Sequence, residues 1–302
     1  MIGRLGRYVR AAYPPAVQLP LMVSWTLGLT ALFACVAGAS ERWRPDGALA
    51  VTTVTMVVDM LLLRALDDLR DHDYDARYNP GRPLPSGLVR ERDLVVLVVV
   101  GIAALLLLNA GRGVVLLALA GQLGYTVVVM TVDRLWGWPS GDRLLLHLAV
   151  NLPIQPLLSL YVYAGFLRSE HLRPGLSGLT AVVAATLGGL CLELGRKATR
   201  RPGAGERTYA TVLGPAGTSG TAVAAALLST AVVLVALRPW DPGSAAYGWG
   251  WLVAAPAGLP AVAAVRFARG SARWPRPLAI AYLPAMYTSF LAVGWLTRGG
   301  AG

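Results

Sequence analysis

The sequence predicts an all-α integral membrane protein of nine transmembrane helices, and three observations lead there. Of 302 residues, 55% are hydrophobic and only 14% charged, with a mean hydropathy of +0.55, a balance that excludes a water-soluble globular enzyme. Nine apolar runs approach or reach the roughly 20 residues that a helix needs to cross hydrocarbon. The connections between those runs alternate between rich and poor in Arg and Lys.

The elements follow in order. The opening MIGRLGRYVR is basic, but the apolar run after it is long and others follow, so it reads as the approach to a first membrane anchor rather than a cleaved signal peptide. The runs cover 16–39, 47–66, 94–110, 114–132, 144–167, 176–193, 218–237, 249–264 and 278–296, within one transmembrane domain spanning 1–302. The third and fourth are separated only by Gly111-Arg112-Gly113, whose glycines permit a tight reversal and predict a helical hairpin. With this assignment, 20 of the 27 basic residues fall on the side of the N-terminus and the even-numbered loops. The positive-inside rule then places the N-terminus and those loops in the cytoplasm.

The net charge of +11 is dispersed among short loops and forms no single basic face, so no nucleic-acid partner is expected. Cys35 and Cys191 lie inside apolar runs without metal-site or disulfide spacing and read as structural thiols.

Five aspartates fall within Asp67-Asp68-Leu69-Arg70-Asp71-His72-Asp73-Tyr74-Asp75, just after the second run. On a helix, Asp68, Asp71 and Asp75 would share one face, as would Asp67 and Asp71. Negative charge at a helix C-terminus opposes the macrodipole, so stability alone would not select it. Hard oxygen ligands at this density suit Mg²⁺, which prefers one or two carboxylates together with water and substrate phosphates. The plain alternative is a solvated charge run neutralised by Arg70, Arg77 and Arg82; His72 reads as a surface residue. The stretch 78–87 has the turn residues of a rigid loop that would hold Arg82 near the carboxylates, where it can donate to a diphosphate.

A second polar cluster closes the sixth run. Glu193 at the end of an apolar helix is an expensive placement unless paired or metal-bound, and Arg196 and Lys197 are its i+3 and i+4 neighbours. A local ion pair is the alternative. Gly203, Gly205, Arg207, Thr208, Tyr209 and Gly214 then form a second ordered loop on the same side.

These two clusters together resemble the UbiA-type superfamily of intramembrane prenyltransferases, over essentially the whole chain. The family's first motif is similar to Asn-Asp-x-x-Asp-x-x-x-Asp followed by Arg-Pro-x-Pro-Ser-Gly. Asp67 takes the Asn place, Asp68, Asp71 and Asp75 take the aspartates, and residues 82–87 reproduce the loop. The second motif departs, because its two aspartates would fall at Lys197 and Arg201, leaving Glu193 as the acid there. The fourth helix keeps Tyr125, but the next basic residue is only at Arg134.

The resemblance implies nine helices around a central lipid-open cavity and Mg²⁺-dependent ionisation of an isoprenyl diphosphate, C15 or C20, within membrane lipid. It implies a metal set of Asp67, Asp68, Asp71 and Asp75, with Glu193 joining them in catalysis. Arg82, Arg196, Lys197, Arg201, Tyr125, Asn151 and Tyr209 are the expected substrate-binding residues. Asp67-Asp68-Leu69-Arg70-Asp71 also resembles the Asp-Asp-x-x-Asp of class I terpene synthases, so cyclisation is the expected fate of the allylic cation. Transfer to an aromatic or lipid acceptor is the alternative, disfavoured because His147 reads as distant from the first motif. Trp25, Tyr125, Tyr161, Tyr163, Tyr282 and Tyr287 are candidate cation-stabilising faces. A transporter or lipid-binding protein is the third reading, resting on the intramembrane Asp59 and Arg64.

Overall fold

The computed structural model describes residues 1–203 and 205–298. Among them the only β pairing is an isolated bridge between Thr199 and Arg273, and the rest of the regular structure is helical. The helices are α1 (Ile2–Ala12), α2 (Pro15–Val36), α3 (Gly47–Arg70), α4 (His72–Tyr78), α5 (Glu91–Leu108), α6 (Val114–Trp136), α7 (Leu144–Asn151) and α8 (Ile154–Ser169). They continue with α9 (Leu176–Arg196), α10 (Ala210–Leu237), a 3₁₀ segment (Trp249–Ala257) that runs into α11 (Gly258–Ala268), and α12 (Arg276–Leu296). Mean hydropathy and length qualify eight stretches for a membrane crossing, α7 with α8 and the 3₁₀ segment with α11 each making one of them. The chain is an integral membrane protein.

The ninth expected crossing is α5, whose 18 residues open with Glu91, Arg92 and Asp93 and so fall short on composition alone. Its place in the bundle supplies what composition does not. The basic side chain of Arg4 in α1 reaches Asp93 at one end of the molecule, whereas Arg298 donates to the Trp43 carbonyl at the other. Chain ends at opposite faces require an odd number of crossings, and α5 completes nine among the described residues.

Three boundaries differ from the sequence expectation. Helix α3 runs on to Arg70 instead of stopping near 66, because nothing in Leu66-Asp67-Asp68-Leu69 breaks a helix, so the first two aspartates are helical. Helix α10 starts at Ala210 rather than 218, and its first turn joins the rest across Gly214, at φ +70°, and Pro215. The reversal at 110–113 is present, with Gly113 at φ +55°, yet α5 packs chiefly on α3 and only lightly on α6. The pair is consecutive but splayed.

Small residues let the helices approach closely, the usual solution where lipid and core are equally apolar. The tightest contact is α2 on α12, where a Cβ added at Gly28 would lie 2.1 Å from the Tyr287 carbonyl oxygen. Beside it Trp25 stacks on Tyr287, with ring centroids 5.6 Å apart.

The end of the bundle carrying Trp43 and Gly111 holds a polar network. Arg112 donates to Asn109 Oδ1 (2.8 Å), Thr52 Oγ1 (2.9 Å), Tyr161 Oη (3.2 Å) and the Ala48 carbonyl (3.3 Å). Asn109 Nδ2 in turn donates to Thr55, and Tyr163 Oη accepts from the Gly175 backbone. These bonds hold Tyr161 and Tyr163 at this end, remote from the aspartates.

Candidate active site

The even-numbered loops meet at the opposite end. Tyr74 Oη donates to the Gly205 carbonyl (2.7 Å), and the Arg207 guanidinium lies 4.3 Å from the centre of the Tyr74 ring. Gly205 sits at φ +72°, and a Cβ there would lie 2.2 Å from the Tyr78 ring, so glycine is required by both backbone and neighbour. Arg207 also approaches Asp142 (3.9 Å), Glu206 pairs with Arg273 (3.2 Å), and Arg200 donates to the Phe267 carbonyl (2.7 Å). One polar roof therefore joins all four loops.

Beneath it the five-aspartate stretch divides. Because α3 ends at Arg70 and α4 begins at His72, the chain turns at Asp71, and Asp68, Asp71 and Asp75 do not line one continuous face. The first group gathers on Arg70, whose guanidinium pairs with Asp67 (3.0 Å), Asp71 (3.2 Å) and Asp133 of α6 (3.5 Å). Arg70 also donates to Asn151 Oδ1 of α7 (3.2 Å), and Asn151 Nδ2 donates to the His147 carbonyl (2.8 Å). Three carboxylates around one guanidinium leave a surplus of negative charge.

The second group lies under α1. Asp68 and Asp75 are both 2% exposed. Asp68 accepts from Tyr8 Oη (2.9 Å) and Arg64 Nη2 (2.6 Å); Asp75 accepts from Arg82 Nη1 (2.7 Å) and Asn79 Nδ2 (2.9 Å). Arg82 also approaches Asp68 at 3.7 Å. Burial, and then the adjoining Asp68 carboxylate, push the Tyr8 phenol far above its ordinary range, so it stays a donor. Among the described residues no ion pair or side-chain hydrogen bond joins this group to the Arg70 group; the link between them is the backbone bond from Asp75 N–H to the Asp71 carbonyl (2.8 Å).

The sixth-loop cluster forms as its spacing predicts. Glu193 pairs with Lys197 and Arg196, both at 2.7 Å, and accepts from Tyr209 Oη (3.1 Å), while Lys197 Nζ lies 5.3 Å from the centre of the Tyr209 ring. Burial and the Glu193 charge drive the Tyr209 phenol upward, keeping it protonated. Two cations on one carboxylate leave a positive surplus. Arg196 is within electrostatic reach of Asp67, and His147 is within reach of Arg70, Asp71, Asp133 and Lys197. The acid-rich and base-rich clusters therefore lie at the same end of the bundle, beneath the loops that Tyr74 and Gly205 join.

The structure thus brings together Asp67, Asp71, Asn151, Glu193, Arg196, Lys197 and Tyr209. Tyr125 stands near them, donating to the Val150 carbonyl (2.7 Å). It places Asp68, Asp75 and Arg82 in the group under α1, and Arg201 is exposed with no ion pair among the described residues. His147 corrects the sequence expectation of a residue distant from the first motif: Asn151, on the same helix, accepts from Arg70 and donates to the His147 carbonyl, and the His147 Nδ1 is buried without a partner. Asp133 and His147 stand on largely apolar helices outside the two charge clusters, so the sequence reading did not place them at the site; the acid near the end of α6 was the available signal.

No three His, Cys, Asp or Glu side chains among the described residues converge as a metal cage. Asp67 and Asp71 are nevertheless 42% and 28% exposed at the side chain and lie on one guanidinium. That is the donor set Mg²⁺ accepts when a substrate supplies further oxygens. Asp68 and Asp75, buried and fully partnered, do not fit that role.

The fold and site define a polytopic helical membrane protein with two clusters of opposite surplus charge at one end. Its fold is that of UbiA homologues. The apo structure of a UbiA homologue from Aeropyrum pernix K1 superposes with a TM-score of 0.61 at 18% identity, covering 88% of this chain and 96% of that one. A UbiA homologue from Archaeoglobus fulgidus, bound to DMAPP and Mg²⁺, gives a TM-score of 0.56 at 15% identity over 97% and 99%. No protein-family model and no curated protein matches the sequence.

Proposed function

We propose that the chain is a UbiA-type enzyme that ionises an isoprenyl diphosphate, C15 or C20, inside the membrane. The observation that carries this reading is that the acid-rich Asp67/Asp71/Asp133 group and the base-rich Arg196/Lys197 group lie at one end of one bundle, under loops joined by the Tyr74–Gly205 hydrogen bond. Asp67 and Asp71 would hold Mg²⁺, which when bound neutralises charge on the diphosphate and makes it a better leaving group. Lys197 and Arg196 donate to the diphosphate from the other side, and Arg70 orients both aspartates. The allylic C–O bond breaks with its electron pair leaving on the diphosphate, and the tail lies among the apolar helices. The basic end of the molecule faces the cytoplasm, since it carries 20 of the 27 cations.

Cyclisation is the first reading for the cation. Lys197 and Arg201 stand where the family's second motif has acids, so the site departs from a standard transferase, and an alkene in the same tail needs no acceptor pocket. Transfer to an acceptor is the second reading, and it gains from His147, whose unpartnered Nδ1 would take the acceptor's proton. Membranes containing the protein, given Mg²⁺ and geranyl, farnesyl or geranylgeranyl diphosphate without acceptor, are expected to form a cyclic terpene, and Asp67→Asn membranes none. Product only with an added acceptor returns the transferase reading; diphosphate release from neither preparation removes both.

A further inference from the structure

On the outer side of the first-motif loop, away from the Arg70 group, a cleft of about 570 Å³ opens between the end of α1 and the turn that follows α4. Its apolar wall is Ala11, Ala12, Pro83 and Leu88, and its polar wall is Arg64 and Arg82. The carboxylates that balance those arginines are not part of it: Asp68 and Asp75 lie behind them, with side chains 2% exposed, while Arg64 and Arg82 are 29% and 38% exposed. The cleft therefore presents guanidinium edges with their counter-charges hidden.

Those edges have donors to spare. Arg64 is engaged only through Nη2 and Arg82 only through Nη1. A guanidinium has five N–H donors in a fixed fork that matches a phosphate oxygen pair. Helix α1 roofs the cleft as an interfacial helix: Leu5, Tyr8 and Val9 pack inward on Ala65, Leu84, Val89 and Leu94. On its other face Arg7 and Arg10 are exposed, and the helix ends on Ala11 and Ala12. Two partly exposed guanidinium edges beside a short apolar wall match a phosphate ester carrying an apolar tail, and the charge complements an anionic leaflet.

We propose that this cleft binds the phosphate of an anionic amphiphile, with Arg64 and Arg82 holding the phosphate oxygens and Ala11, Ala12 and Leu88 covering the first carbons of the tail. The site is distinct from the proposed diphosphate centre, since Asp68 and Asp67 leave α3 on different faces. Binding there ties α1 to the loop bearing Asp75.

The full chain, purified in non-ionic detergent and stripped of co-purified lipid, tests this by native mass spectrometry with phosphatidylglycerol or phosphatidylcholine. Inorganic phosphate and pyrophosphate serve as lipid-free competitors. The wild type is expected to retain one phosphatidylglycerol and no phosphatidylcholine. Arg82→Gln and Ala11→Trp should each bind it roughly tenfold more weakly, the loss of one charge-assisted contact or of the space itself. Ala11 is exposed, so the tryptophan fills the cleft without disturbing an ion pair and decides the matter if the arginine variant does not fold. Displacement by inorganic phosphate, with no lipid retained, supports the same two arginines and assigns the site to free phosphate. Equal retention of phosphatidylglycerol by wild type and Ala11→Trp, or equal retention of the two lipids, overturns the proposal. Neither reading depends on turnover at the central site.

Discussion

Asp67 and Asp68 are neighbours in the chain and belong to different parts of the molecule. Asp67 Oδ1 lies 3.0 Å from Arg70 inside the bundle, whereas Asp68 Oδ1 lies 2.6 Å from Arg64 beneath α1. One step along a helix turns a side chain by about 100°, and here that rotation separates a group open to solutes from one locked in protein.

Substitution should therefore separate the two. Asp67→Asn and Asp71→Asn are expected to abolish Mg²⁺-dependent pyrophosphate binding while leaving thermal unfolding in detergent unchanged, as read by calorimetry on the same samples. Asp68→Asn should instead lower the unfolding midpoint, at a cost of about 1–3 kcal/mol for leaving buried donors unmatched. An Asp68→Asn protein of normal stability without pyrophosphate binding would put Asp68 back among the metal ligands.

Lys197 and Arg201 offer a second contrast. With EDTA present, Lys197→Ala should weaken pyrophosphate binding by roughly tenfold, the loss of one charge-assisted contact. Arg201→Ala, at an exposed position outside the cluster, should leave it unchanged. Isothermal titration reads both, and equal weakening in the two variants would show that only net charge matters.

His147 separates the two fates of the cation. If the tail closes on itself, His147→Ala should still convert the diphosphate to a hydrocarbon or terpene alcohol without acceptor, measured by gas chromatography. Loss of an acceptor-dependent product, with diphosphate release retained, is the result that transfer requires.

Asp59 is 1% exposed in the middle of α3, and neither of its oxygens has a hydrogen-bond partner; Gln122 Oε1, on α6, is also unpartnered. An orphaned buried carboxyl costs stability. Asp59→Asn is expected to raise the unfolding temperature by a few degrees, about 1 kcal/mol. A lower midpoint would mean that the acid is satisfied by a group it meets only in the membrane.

Packing at Gly28 makes the last prediction. Gly28→Ala drives a methyl into the Tyr287 carbonyl and should destabilise by at least about 1–3 kcal/mol, the usual range for overpacking. Expression yield and monodispersity on size exclusion report it.

Much of this was legible in the residues. Apolar runs and the uneven loops disclose the crossings, because hydrocarbon thickness and cationic loops are written into composition. Asp67, Asp71, Glu193 and Lys197 stand out because charge at the end of an apolar helix has few structural excuses. Which way Asp68 and Asp75 turn was not legible: it depends on α3 continuing to Arg70 and on the break at Asp71, a phase that hydropathy does not encode. Asp133 and His147 come to the site from helices far along the chain, and only helix packing brings them there.

The network around Arg112 bears on what the protein does to the membrane that holds it. Its guanidinium is tied to four acceptors among α3, α8 and the 109–113 turn, so the cation is fixed in place at that end of the bundle. On the proposed reading, a hydrophilic leaving group would form at the face that carries the aspartates, and to cross to the other face it would have to pass a cation whose bonds tie three parts of the chain together.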